Sequence, residues 1–149
     1  MFQNILIVCH ANICRSPAAE LLFKTKRPPR QAATQRMDFH SAGIRALDGD
    51  IIDPTMQRLL AEHGVDSSEH RARRLNWQIV RDADLILVTE RKQIAAVESL
   101  DPTSRGKVHL LGKWEDSDVA DPHGGHESAY RESLKLIEHL VLGWLNKIC

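Results

Sequence analysis

The residues whose types and spacing can do chemistry lie in one short stretch, Cys9-His10-Ala11-Asn12-Ile13-Cys14-Arg15-Ser16. It fits C-x5-R, a weak pattern taken alone. Its surroundings give it meaning. A short apolar run, Asn4 to Val8, precedes the cysteine, and Ser16-Pro17 opens a helix behind the arginine. A tight loop entering a helix turns backbone N–H groups inward and forms an anion nest. The helix dipole adds positive potential there, and the same field favours a thiolate at Cys9. Arg15 can hold two oxygens of a phosphate at once, which a lysine cannot imitate. Ser16 can donate its hydroxyl hydrogen to a leaving thiolate. The stretch therefore predicts a cysteine nucleophile that attacks phosphorus and forms a cysteinyl phosphate, with residues 10–16 around the phosphate.

Such an attack also needs an acid for the leaving oxygen. The acidic stretch 115–126 offers Glu115, Asp116, Asp118 and Asp121. Asp121-Pro122 is attractive because proline stiffens its loop. Asp53-Pro54 and Asp101-Pro102 repeat the dipeptide, and each equally suits a helix or turn entry. Residue chemistry leaves the choice open.

The elements that must position this loop read as an alternation. Residues 4–8 form a strand apolar enough to be buried on both faces. A helix from Ser16-Pro17 stops at Pro28-Pro29. A strand from Met37 to Ser41 runs on to Gly43. Asp53-Pro54 starts a helix with Met56, Leu59 and Leu60 on one face and Gly64 just past its end. Residues 76–80 suggest a short helix, 84–88 a buried strand, 91–99 a helix and 108–111 a last strand. From Glu127 to Lys147 the recurrence of Leu134, Ile137, Val141 and Leu145 predicts an amphipathic terminal helix. Alternating strands and helices imply an α/β fold, one domain over 1–149 with a central four-stranded parallel sheet flanked by helices. Ligands of such sheets bind beyond the carboxyl ends of the strands, where the 9–16 loop sits.

Composition narrows the function. The 149 residues carry 20 Lys+Arg and 20 Asp+Glu, a net charge of zero, so neither a general nucleic-acid binder nor a polybasic membrane anchor is expected. Apolar residues are 42% and charged residues 27%, which speaks for a folded chain. The longest apolar run, Ile5 to Cys9, is far too short to span a bilayer, and no signal-like stretch is present. A cytoplasmic protein with reduced cysteines is expected. Cys9, Cys14 and Cys149 are too few and too unevenly placed for a disulfide scaffold.

In order and spacing, the motifs resemble the low-molecular-weight protein tyrosine phosphatases over nearly the whole chain. Cys9 to Pro17 looks like that family's C-x-G-N-I-C-R-S-P loop, Ser41-Ala42-Gly43 like its S-A-G segment, and His70-Arg71-Ala72-Arg73 like its H-x-A-R stretch. Asp84 to Val88 looks like its D-L-I-L strand and Asp121-Pro122 like its late D-P pair. The resemblance implies Cys9 as nucleophile, Arg15 as phosphate clamp and Asp121 as general acid and then base. It implies that Asn12, Ser16, Ser41 and His70 support the loop and that Leu47 and His123 line the cleft. No metal or other cofactor is implied. Ala46-Leu47, Arg105 to Val108 and Gly112-Lys113-Trp114 look most like the bacterial subgroup linked to capsule and exopolysaccharide export. Those enzymes dephosphorylate tyrosine autokinases. The expected partner is thus a phosphotyrosine protein of that kind, the expected product inorganic phosphate, and the expected state a monomer outside the membrane.

Three positions depart from the family. Ala11 stands where glycine is usual, which would cost about 1 kcal/mol if that residue needs a positive φ. His10 replaces a small or apolar residue, and His123 replaces a tyrosine at the cleft mouth. Cys14 is a candidate partner for a protective disulfide with Cys9. Arg71, Arg73 and Arg74 read as a solvated basic face or as a patch for acidic tails. Trp77, Trp114 and Trp144 are expected to pack, with Trp114 a possible anchor of the acidic loop. Two rivals share the loop. Arsenate reduction needs further thiols, and none lies between Cys14 and Cys149. A phosphate-binding module without turnover would need no acid, yet acids are present.

Overall fold

The computed structural model describes residues 2–29 and 35–149. Four strands, β1 (Asn4–Cys9), β2 (Asp38–Gly43), β3 (Leu85–Val88) and β4 (Val108–Leu110), form one parallel sheet in the order β2-β1-β3-β4. Helices α1 (Arg15–Lys26), α2 (Pro54–Glu62), α3 (Trp77–Asp82), α4 (Gln93–Leu100) and α5 (Glu127–Ile148) cover it. The expected α/β architecture is the observed one, with element ends displaced by one to three residues.

β1 is central, and side-chain alternation divides its apolar residues between two cores. Ile5 and Ile7 pack with Leu22 and Phe23 of α1, Leu59 and Leu60 of α2, and Ile137 and Val141 of α5. Leu6 and Val8 pack on the other face with Val80 of α3, Val97 of α4, and Ile86 and Val88 of β3. A strand buried on both faces reads as a continuous apolar run, which is why the sequence shows one here.

After β1 the chain lays β2 on one side and then crosses to lay β3 on the other. The carboxyl end of β1 is therefore the topological switch point, where neighbouring connections part and leave a crevice. Cys9 is the last residue of β1. The α2 helix is stopped as expected, with Gly64 at φ +76° just beyond its end.

The tryptophans behave less uniformly than expected. Trp144 is buried, donates its indole N–H to Leu111 O at 2.7 Å and packs against Trp114. Trp114 and Trp77 are about half exposed, each beneath cationic side chains: Lys113 and Lys147 over Trp114, Arg81 over Trp77. Trp114 belongs to the α5 face and lines neither hollow at the end of β1.

Candidate active site

The turn from β1 into α1 is held from outside by its carbonyls. Cys9 O accepts from Ile44 N (3.0 Å), His10 O from Arg45 N (2.8 Å) and Ile13 O from Asp53 N (2.8 Å). Asn12 O meets the His70 imidazole Nε2 at 2.7 Å, and Cys14 O accepts from Ala18 N at 3.2 Å. In a trans peptide the N–H points opposite to the C=O. Carbonyls tied outward at residues 9, 10, 12, 13 and 14 turn the N–H groups of His10, Ala11, Ile13, Cys14 and Arg15 toward the centre of the loop. The remaining amide, Asn12 N, points at Cys9 Sγ at 3.3 Å. The loop thus has the inward-facing amides of an anion nest.

Its positive φ falls on Asn12 (+57°), not on Ala11. Asparagine tolerates that region better than most residues, so Ala11 carries no left-handed strain and its expected cost does not arise. Gly43 is needed for a different reason. A Cβ there would lie 2.8 Å from Asn12 N and from His10 O, so the S-A-G glycine is the gap through which β2 approaches the loop.

Below the loop, a chain of hydrogen bonds joins Arg73, Asn12, Ser41, Glu20, Ser16 and Cys9. Asn12 Oδ1 accepts from Arg73 N at 2.9 Å, which directs its Nδ2 to Ser16 Oγ (2.8 Å) and Ser41 Oγ (2.9 Å). Ser41 passes its hydrogen to Glu20 Oε1 at 2.5 Å. The Ser16 hydroxyl, an acceptor from Asn12, lies 2.9 Å from Cys9 Sγ, where it donates whenever Cys9 is a thiolate. The structure brings Asn12, Ser16, Ser41 and His70 together. Glu20 and Arg73 belong to the same network and were not expected in it. Arg73 is turned inward onto Ser41 O (3.2 Å) and the His40 imidazole rather than presented on a solvated face.

Cys9, His10, Ala11, Ile13, Cys14, Arg15, Asp121 and His123 line a hollow of about 130 Å³. Leu47 lines neither this hollow nor the wider groove beside it, and is 66% exposed on the loop after β2. A groove of about 230 Å³ between α2 and α5 carries no such loop, so size does not locate the chemistry.

Arg15 is buried beneath its own loop. Its guanidinium donates to Val119 O at 2.8 Å and stands 3.4 Å from Glu90 and 3.7 Å from Asp121. Glu90 is a further residue that sequence reasoning missed. It follows β3, so the rule that ligands sit at strand carboxyl ends would have pointed to it.

Geometry separates the acidic candidates. Asp116 and Asp118 are held by Arg91, Glu115 by His139, and Asp101 caps the short turn at 102–104. Asp53 is buried at the start of α2, where its carboxylate accepts from Thr55 N, Met56 N, Tyr130 Oη and the His123 imidazole. Burial pushes its pKa up, but these hydrogen bonds outweigh it and leave the value below the usual carboxylate range. Of the acids considered, Asp121 alone lines the hollow.

Cys14 and Cys9 are both free thiols. Burial, then the charge of Asp53, pushes the Cys14 thiol well above its ordinary range. Among the described residues no cluster of three or more His, Cys, Asp or Glu could hold a metal ion, and His123 and His126 form no such site. Among the described residues no helix is long and apolar enough to cross a membrane.

Cys9, Arg15 and Asp121 line one hollow at the switch point of a doubly wound sheet, an arrangement suited to receiving a phosphate ester. Comparison with known proteins gives the particular family. Residues 4–149 match low molecular weight phosphotyrosine protein phosphatase, and the chain belongs to that family as a protein-tyrosine-phosphatase. It is 40% identical over 148 residues to a probable low molecular weight protein-tyrosine-phosphatase, EpsP, of Ralstonia nicotianae, covering 99% of this chain and 97% of that one. The fold matches the Escherichia coli tyrosine phosphatase Wzb in complex with sulphate at a TM-score of 0.88, with 31% identity and both chains fully covered. The YwlE arginine phosphatase of Geobacillus stearothermophilus superimposes as well, with a TM-score of 0.88 at 26% identity over 99% of this chain and 93% of that one.

Proposed function

We propose that this one-domain chain hydrolyses protein phosphotyrosine in two steps, with Cys9 as nucleophile, Arg15 as phosphate clamp and Asp121 as general acid and base. In the first step Cys9 sulfur forms a bond to phosphorus as the phosphorus–oxygen bond to tyrosine breaks. Asp121 gives its proton to the leaving tyrosyl oxygen. Arg15 and the inward amides stabilise the equatorial oxygens, whose charge is held in the transition state. In the second step Asp121 takes a proton from water, which attacks phosphorus and releases phosphate. Cys9 leaves as a thiolate, with the Ser16 hydroxyl positioned to donate to it.

The observation that carries this reading is Cys9 at the floor of the nest, 2% exposed, with Arg15 and Asp121 in the same hollow. A floor that deep favours a long aryl ester over a short alkyl phosphate, and Ile13 and His123 give it an apolar and an imidazole wall. The substrate we propose is a bacterial tyrosine autokinase that controls exopolysaccharide or capsule export, met by a cytoplasmic monomer. The sequence resemblance to that subgroup supports this.

The test is hydrolysis of p-nitrophenyl phosphate and of phosphotyrosine, phosphoserine and phosphoarginine peptides, with EDTA and a thiol reductant present. Turnover of the two aryl esters, abolished by Cys9→Ser and slowed roughly 100-fold or more by Asp121→Asn, is expected. Preference for phosphoarginine would replace the substrate assignment. Full activity of Cys9→Ser would end the mechanism. Deletion of the gene with no change in autokinase phosphotyrosine would end the kinase assignment.

A further inference from the structure

We infer that His123 is a positioning residue for Asp121, anchoring the acid-bearing loop to the phosphate loop through Asp53. The inference rests on the reading of Asp121 as the general acid.

Three contacts carry it. His123 N donates to Asp121 Oδ1 at 3.0 Å, so the same residue that precedes the turn's glycines fixes the orientation of the carboxylate. The His123 imidazole Nδ1 lies 3.0 Å from Asp53 Oδ2. Asp53 in turn donates its backbone N–H to Ile13 O of the phosphate loop. A chain of hydrogen bonds therefore joins the Asp121 carboxylate to the phosphate loop at Ile13, through one imidazole.

The anchor is rigid where the lever is exposed. Asp53 is buried and its two oxygens are shared among four donors: Thr55 N and Met56 N on Oδ1, His123 and Tyr130 on Oδ2. Tyr130 Oη lies 2.8 Å from Asp53 and accepts from Gly124 N at 3.4 Å, so the loop is held at two successive residues. The His123 side chain is 60% exposed, so its packing holds little and its hydrogen bond holds more. Because Asp53 accepts from Nδ1, that nitrogen carries the hydrogen in the neutral ring and Nε2 offers a lone pair. A tyrosine at this position, as in the resembling family, has no nitrogen one bond from its Cγ and cannot make this contact in the same way. The tie belongs to this chain's own departure.

A positioning role predicts an effect that scales with the need for an acid. Displacing a general acid hurts a poor leaving group more than a good one. The experiment measures kcat/KM for phenyl phosphate and p-nitrophenyl phosphate in wild type, His123→Ala, His123→Asn and Asp121→Asn. Asparagine places a side-chain N–H near the position of Nδ1. His123→Ala is expected to lose about tenfold more on phenyl phosphate than on p-nitrophenyl phosphate, beyond whatever the lost imidazole wall costs both esters alike, with His123→Asn recovering most of that difference. Equal losses on both esters, or none, overturn the inference while Asp121→Asn still discriminates between them. Failure of Asp121→Asn to discriminate withdraws the acid assignment, and this inference with it.

Discussion

Asn12 is the residue whose loss the structure makes easiest to quantify. Its side chain makes three hydrogen bonds, to Ser16, Ser41 and Arg73 N, in a fully buried position. At about 1 kcal/mol net for each, their removal costs about 3 kcal/mol. Alanine adds roughly 1 kcal/mol for the left-handed backbone at φ +57°. Asn12→Ala is therefore expected to destabilise by about 4 kcal/mol. Asn12→Gly loses the same bonds but not the backbone strain, and part of that advantage is cancelled by the freer unfolded chain. It is expected to be better than alanine by about 0.5–1 kcal/mol. Urea unfolding followed by tryptophan fluorescence reads both. With a slope near 2 kcal/mol/M, the alanine midpoint should fall by about 2 M. Losses under about 1 kcal/mol in both variants would refute the claim that this network holds the loop. A glycine variant less stable than the alanine variant would refute the strain argument alone.

Acid stability should carry the mark of His40. Burial first, and the Arg73 guanidinium second, push its pKa down to about 4, while the unfolded chain takes the proton near 6.5. The unfolded state then binds more protons between those values, so stability falls as pH drops from 6.5 to 4, by at most about 3 kcal/mol. Urea midpoints at pH 7.5 and 5 should diverge in wild type and move closer together in His40→Gln; equal slopes would count against it. Asp53 acts lower down, its stabilisation present above its unfolded value and lost as pH falls through its depressed folded value. Cys14, with its thiol pushed up by burial, should resist iodoacetamide at pH 8 while exposed Cys149 reacts, and peptide mass mapping showing prompt Cys14 labelling would contradict this. Gly43→Ala should cost about 2 kcal/mol and reduce kcat/KM, because its Cβ would meet backbone atoms of the loop that cannot swing aside. Wild-type kinetics in that variant would show that β2 and the loop can part without loss.

What the sequence made legible was what chemistry requires to be contiguous. Cys9 to Ser16 must close one turn, so its residues are neighbours in the chain and its flanking strand and helix announce themselves by period and by proline. The elements below it were readable for the same local reasons, within a few residues at their ends. Partners supplied from afar were legible only where a family motif marked them, as at Ser41 and His70. Arg73 reaches Asn12 across 61 positions and Arg15 reaches Val119 across 104. Glu20 and Glu90 are polar residues on a helix and after a strand, indistinguishable there from solvated ones. Residue chemistry alone could not tell Asp121 from Asp53 and Asp101; the family resemblance singled it out, and of the three it is the one that lines the hollow. One miss was avoidable. The loop needed a left-handed residue somewhere, and Asn12 was a better candidate than Ala11 on backbone preference alone.

The arrangement also says why so much of the site lies beneath it. A nest of inward amides is an unfavourable structure without its anion, since like dipoles converge and one residue sits at positive φ. It is kept open by satisfying the opposite ends of the same peptides. Each outward carbonyl is taken by a donor from β2's exit, from α2's start, from His70 or, at Cys14, from the first turn of α1. The cradle's shape is then held by the fold itself, so little reorganisation is left for the transition state to cost. Sensitivity to mutation should accordingly track these outward bonds rather than distance from phosphorus. Arg73 and Glu20, which are not among the residues lining the hollow, belong with the loop in any such ranking, whereas His10, exposed at its rim, does not.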